Sequence, residues 1–262
     1  MTAPMKWEAV HSCKCCSGTA PLFGVVDFSK NCYERKGVVL PLSGIPIYYY
    51  RCPVCEFLFT DFFDDFSNEE MNEWIYNDGY STVDPDWETN RPNAMAETII
   101  QHFKQFGRDI SVLDYGCGTG RLSQILRENG FTKVVNFDPM VEEFSAIPKQ
   151  KFDLIVCFEV LEHVTNPNQA FQEIAGLRKE NGLVVHATFL QPPEFEKMRL
   201  NWWYVGPRNG HISIHSAKSL SHFWSEVGLK VVSTNHNSHI AFDSPPEFAS
   251  DVLKQVIISP SR

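Results

Sequence analysis

Val112-Leu113-Asp114-Tyr115-Gly116-Cys117-Gly118-Thr119-Gly120 decides how the rest of the chain is read. An apolar run meets an acidic residue and then glycines at alternate positions. Leu122, Ile125 and Leu126 follow at helical spacing. The pattern predicts a strand, a tight turn and a helix. Glycines at the turn let a ligand approach the backbone more closely than any side chain allows. The dinucleotide fingerprint G-x-G-x-x-G differs, because its last two glycines stand three apart.

Outward from that turn, residues 121–129 read as a helix stopped by Gly130, and residues 133–138 as a second strand ending in Asp138. Asp138 lies eighteen positions after Gly120, where a carboxylate can accept hydrogen bonds from ribose hydroxyls. The bland alternative is a turn-forming Asp before Pro139. The apolar run Phe152-Asp153-Leu154-Ile155-Val156-Cys157-Phe158 suits a buried parallel strand. Phe158 and Glu159 then stand at its carboxyl end, where open α/β sheets place ligands. Helices are expected over 168–177 and 220–227. Strands are expected over 183–188 and 230–233, with an antiparallel one near 239–242. Only fourteen residues lie between Asp138 and Asp153, whereas a full β-α-β unit needs about thirty. The second crossover helix and third strand are therefore expected to be truncated or replaced by a loop. A nucleoside base bound beside Asp138 would then rest on Phe137, Met140 or Phe144.

Six of the eight cysteines lie within residues 13–55. Cys13 and Cys16 form one C-x-x-C and Cys52 and Cys55 a second, with thirty-five residues between the pairs. Two such knuckles complete a closed tetrahedral thiolate site for structural zinc. Cys15 and His11 are alternative ligands, and Cys32 reads as a lone buried thiol. The nine histidines show no second metal-ligand spacing. Ser67-Asn68-Glu69-Glu70 is a capping box, and a further helix runs from Pro92 to Gly107. The aromatic loop between carries Tyr80 and Trp87, which either cover a cofactor cleft or pack between modules.

The long segment 191–216 holds Trp202, Trp203, Arg208, His211 and His215. Loops of that length are usually functional. Arg208 is read as a partner for phosphate or carboxylate or as one half of a surface ion pair, His211 as a general base or as a buried His of an aromatic-packed loop, and His163 as a base facing the acceptor or as a structural residue. The net charge of −9 disfavours a nucleic-acid partner. The absence of a long apolar run or signal-like start leads to an expectation of a cytoplasmic protein with no membrane span.

Residues 112–120, Asp138 and 152–163, in order, resemble the class I S-adenosylmethionine-dependent methyltransferases. Their cofactor loop is an acidic residue followed by G-x-G-x-G, and their fourth strand commonly reads FD-L-I followed by V-L-E-H. The resemblance covers about residues 13–242. It implies an α/β fold, a Rossmann-like sheet shortened between its second and fourth strands, with a small zinc-ribbon-like module ahead of it. The implied division is 1–62 for the zinc module, 63–107 for a helical connector and lid, and 108–262 for the methyltransferase domain with an acceptor insertion at 191–216. S-adenosylmethionine is the implied cofactor. Tyr80, Asp114, Gly116, Cys117, Gly118, Asp138, Pro139, Phe158 and Glu159 are its expected contacts, and Cys13, Cys16, Cys52 and Cys55 the expected zinc ligands. Paired cysteines ahead of such a domain are similar to the layout of the sugar C-methyltransferases, which implies a small, phosphorylated acceptor such as a nucleotide-linked sugar. Two other readings stay open: an RNA methyltransferase, and a non-catalytic zinc scaffold with a decayed cofactor fold.

Overall fold

Two cysteine turns and an antiparallel sheet open the described part of the chain. The structure is a computed structural model and describes residues 9–250 and 253. Strands β1 (Val10–Ser12), β2 (Thr19–Asp27), β3 (Pro46–Arg51) and β4 (Leu58–Phe59) pair in that order. A fifth strand from far along the chain, residues 213–214, completes this sheet beside β4. Three helices follow: α1 (Asn68–Trp74), α2 (Tyr80–Val83) and α3 (Asn90–Phe103). The capping box forms at α1, with Glu70 N–H donating to Ser67 Oγ at 3.2 Å and Ser67 N–H to Glu70 Oε2 at 2.8 Å.

The second sheet grows from β5 (Ser111–Tyr115). After it come α4 (Arg121–Glu128), β6 (Lys133–Phe137), β7 (Phe152–Phe158), α5 (Pro167–Leu177), β8 (Arg178–Ala187), α6 (Phe195–Met198), β9 (Ser213–Ile214), α7 (Ala217–Glu226), β10 (Lys230–Ser233) and β11 (Ser238–Phe242). The spatial order is β10-β11-β8-β7-β5-β6. The strands from β6 to β8 are parallel, and β11 joins antiparallel to both β8 and β10. β6 is an edge: between it and β7 the chain makes only a short 3-10 turn at Glu142–Phe144. Phe144 C=O accepts from Asp138 N–H at 3.0 Å, so this loop folds back on the end of β6. The expected loss of a crossover helix and strand is what the spacing allows.

The modules do not separate at residue 62. One core joins the cysteine turns to the parallel sheet: Cys13, Cys52, Phe57 and Phe59 share it with Leu113, Phe171, Phe223 and Trp224. Phe57 stacks on Phe59 at 5.7 Å and meets Phe223 edge-on at 5.3 Å. A second core packs Tyr49, Leu58 and Phe63 against Met71, Tyr80, Trp202 and Tyr204. The segment 191–216, expected as an insertion of the methyltransferase domain, thus supplies β9 and much of the apolar cover of the N-terminal sheet. Two edges that would be costly to expose are buried together.

Candidate active site

A cleft of about 1080 Å³ opens at the carboxyl ends of β5, β6 and β7, roofed by residues from Phe66 to Met95. Its floor is the glycine turn. Gly116, Gly118 and Gly120 have φ of 77°, 51° and 75°, in the left-handed region that L side chains avoid. A Cβ on Gly116 would sit 2.3 Å from Val160 Cγ2, and one on Gly120 would sit 2.7 Å from Asn136 Nδ2. Neighbouring side chains therefore occupy the space the missing side chains leave, and the turn is locked by packing as well as by backbone conformation.

Carboxylates ring this floor. Asp138 accepts from Gly118 N–H at 2.8 Å and from Met140 N–H at 2.9 Å. A carboxylate has about four acceptor sites, so capacity remains for two ribose hydroxyls. Asp114 is buried and accepts from Ser123 Oγ at 2.9 Å. Burial pushes its carboxyl up to about 6, with the Ser123 hydrogen bonds opposing. Tyr80, Cys117, Pro139, Phe158 and Glu159 all line the same cleft, as do Phe137 and Met140, while Phe144 lies behind the Gly120 turn. Trp87 stands over the floor, 3.9 Å from where a Gly118 Cβ would be, and meets Tyr80 edge-on at 5.8 Å.

Arg91 ties this roof to the sheet, and no sequence pattern marks it. Its guanidinium holds Asp84 through two bonds of 3.0 and 2.6 Å and reaches Glu159 at 3.8 Å. Glu159 turns out of β7 with φ 55°. Its burial raises the carboxyl to about 7 against the pull of Arg91. Arg91 is the sole Lys or Arg among the described residues lining the cleft, whereas Asp78, Glu88, Asp114, Asp138, Glu159 and Glu173 all line it.

The two expected bases meet, but in different settings. His163 lines the cleft, and burial, with Arg91 nearby, lowers its imidazole to about 4. His211 does not line it; this base is buried behind His163, with ring centroids 4.9 Å apart, and a direct approach to an acceptor is closed to it. His211 Nδ1 lies 2.8 Å from Tyr204 C=O. Tyr204 O–H donates to Glu162 Oε1. Glu162, His163 and His211 each bring a ligand atom to within 4.8 Å of the others, a clustering the sequence spacing did not reveal. Arg208 also departs from expectation: it is buried and donates to Ile75 C=O and Asn77 Oδ1, both at 2.8 Å, so it pins the α1–α2 turn and reaches no ligand. Trp202 is core, and Trp203 stacks under Arg35 at 3.5 Å.

The four expected zinc ligands converge. Cys13 and Cys55 Sγ are 3.5 Å apart, Cys16 and Cys52 Sγ are 3.5 Å apart, and all four lie within 4.8 Å. A tetrahedral site with metal–sulfur bonds of about 2.3 Å needs sulfurs roughly 3.8 Å apart, so the donor set fits zinc. The two turns match: Ser17 and Glu56, each four residues after the first cysteine of its pair, have φ 59° and 63°. Cys15 stands outside this group of four, its Sγ 3.8 Å from Ser219 C=O, and His11 faces Asp61 at 3.4 Å. Cys32 Sγ lies 3.4 Å from His211 Nδ1.

Residues 87–234, more than half of the chain, match the family described as a methyltransferase domain. Similar proteins include a ubiquinone biosynthesis O-methyltransferase of Histophilus somni, 28% identical over 40% of this chain and 57% of that one. One of the same name from Salmonella paratyphi A is 31% identical over 32% of this chain and 43% of that one. The chain spans about half the length of these relatives. Among solved structures, magnesium protoporphyrin IX methyltransferase of Synechocystis with bound SAH aligns with TM-score 0.46 and 16% identity over 69% of this chain and 95% of that one. DesVI of Streptomyces venezuelae aligns with TM-score 0.44 and 15% identity over 60% and 93%.

Proposed function

We propose, from the premise that this chain belongs to the methyltransferase-domain family, that it moves the methyl group of S-adenosylmethionine to an oxygen of a small hydroxylated acceptor. The observation that carries this is one cleft lined both by the glycine turn and Asp138 and by Glu159 and His163. The donor, when bound, supplies an electrophilic methyl on a sulfonium. The chain's task is then to align an acceptor oxygen with that methyl. An oxygen lone pair forms the new C–O bond, the C–S bond breaks with its pair left on sulfur, and the acceptor proton passes to the Glu159 carboxylate or the His163 imidazole, both of which line the cleft.

The acidic lining favours a cationic donor over its neutral product. It disfavours a phosphorylated acceptor, because Arg91 is already paired and Arg208 is buried on backbone. A hydroxylated, uncharged acceptor fits better, in keeping with relatives named as O-methyltransferases. The same charge weighs against an RNA substrate. A zinc ion on Cys13, Cys16, Cys52 and Cys55 would have no open position, which gives it a folding role. Among the described residues no helix is long and apolar enough to cross a membrane. The test is transfer of labelled methyl from S-adenosylmethionine to a panel of phenolic and sugar hydroxyls. Transfer to none of them by folded protein that binds the donor would overturn the acceptor class.

A further inference from the structure

We infer that Glu162, His163 and His211 bind a divalent cation at the wall of the cleft. Two buried polar atoms in the cluster, Glu162 Oε2 and His163 Nδ1, make no hydrogen bond of normal geometry among the described residues, though Thr188 and the Gly210 backbone stand near these side chains. Glu162 is 0% exposed. An unpartnered carboxylate oxygen in such a place costs free energy that a cation would remove. The second imidazole is prepared in the same sense. Tyr204 C=O accepts from His211 Nδ1–H, which leaves Nε2 with a free lone pair. The hydroxyl of the same Tyr204 donates to Glu162 Oε1, which leaves Oε2 as the free oxygen. One residue thus fixes the tautomer of one ligand and the orientation of another, the outer-shell arrangement of metal-bound histidines.

The donor set selects the cation. Two imidazoles and one carboxylate suit manganese, iron, cobalt or zinc better than calcium or magnesium. Bonds of about 2.1 Å place neighbouring ligand atoms roughly 3.0 to 3.4 Å apart, so side-chain shifts of about an ångström from a 4.8 Å separation close the site. His163 lines the cleft and the other two ligands stand behind it, so the cation would sit within the cleft wall, with water completing its coordination. The cation site does not rest on the methyl-transfer reading.

The test uses the full chain with its thiolate site already loaded with zinc. It is titrated calorimetrically with Mn2+ and spectroscopically with Co2+, with SAH binding measured in parallel. The expected result is one Mn2+ per chain and a Co2+ ligand-field spectrum without a thiolate charge-transfer band. Affinity is expected to fall at least tenfold in His163→Gln, at the cleft wall, and in Glu162→Gln, each checked for folding by near-ultraviolet circular dichroism. No Mn2+ or Co2+ bound by the wild-type chain, or affinity unchanged in the folded variants, overturns the site in favour of a metal-free carboxyl–imidazole cluster. Mn2+ binding without SAH binding leaves the cation site standing and overturns the donor reading; SAH binding without Mn2+ does the reverse.

Discussion

Gly116→Ala puts a methyl group where Val160 already stands. The new Cβ would lie 2.3 Å from Val160 Cγ2, and the backbone φ of 77° would have to be held by an L side chain. The left-handed conformation costs about 1–2 kcal/mol. Forcing a methyl into packed surroundings costs roughly 1–3 kcal/mol more. Restriction of the unfolded chain returns about 0.4–1 kcal/mol. A net loss of about 1–4.5 kcal/mol is expected, read by urea denaturation at neutral pH. The two terms can be separated. Val160→Ala removes the atom that clashes but leaves φ unchanged, so the double variant should recover the steric part and no more. The coupling energy in the cycle is expected at about 1–2 kcal/mol. A Gly116→Ala protein within about 0.5 kcal/mol of wild type, or strict additivity with Val160→Ala, would refute the claim that this turn is locked by packing.

Phe57→Ala should destabilise the whole chain by about 3–5 kcal/mol in a single transition, because Phe57 sits in the core shared by the cysteine turns and α7; two separated calorimetric transitions would show that the modules fold independently. Disruption of the four-cysteine cluster should spread in the same way: Cys52→Ser should raise hydrogen exchange at 213–214 as well as at 58–59, since those strands pair, and exchange confined to residues before 60 would contradict it. Acid should weaken the fold through His239, whose burial beside His186 lowers its imidazole to about 4 against the opposing hydrogen bond to Thr188 C=O. Because the folded value lies below the unfolded one, this stability is present above about pH 6.5 and is lost as pH falls, by about 2 kcal/mol at pH 5. His239→Gln should flatten that part of the pH dependence of urea unfolding, and an unchanged slope would remove His239 from the account.

Local pattern made the centre of this fold legible. The run 112–120 announces its own strand, turn and helix, and the fourteen residues between Asp138 and Asp153 forecast the missing strand beyond β6. The cysteine pairs were readable for the same reason, since a knuckle is a local object. Contacts between distant segments were not. β9 is two residues long, with no period to detect, and it pairs with β4 across about 150 residues. Arg208 was read as a partner for phosphate or carboxylate because a guanidinium in a long loop suits those groups, yet its partners are a backbone carbonyl and Asn77 from the turn after α1. The Glu162–His163–His211 cluster escaped for a related reason. Its adjacent pair is plain in the sequence, but its third member is brought in by a loop whose path depends on β9 and on Tyr204.

The central claim is that the cleft above Gly116 and Gly118 holds the methyl donor with its ribose on Asp138. Calorimetric titration of SAH into the wild-type chain and into Asp138→Ala tests it most directly. The account predicts saturable binding at one site per chain, weakened at least tenfold in a variant that remains folded. No heat of binding from folded wild-type protein, or equal affinity in the variant, would contradict it.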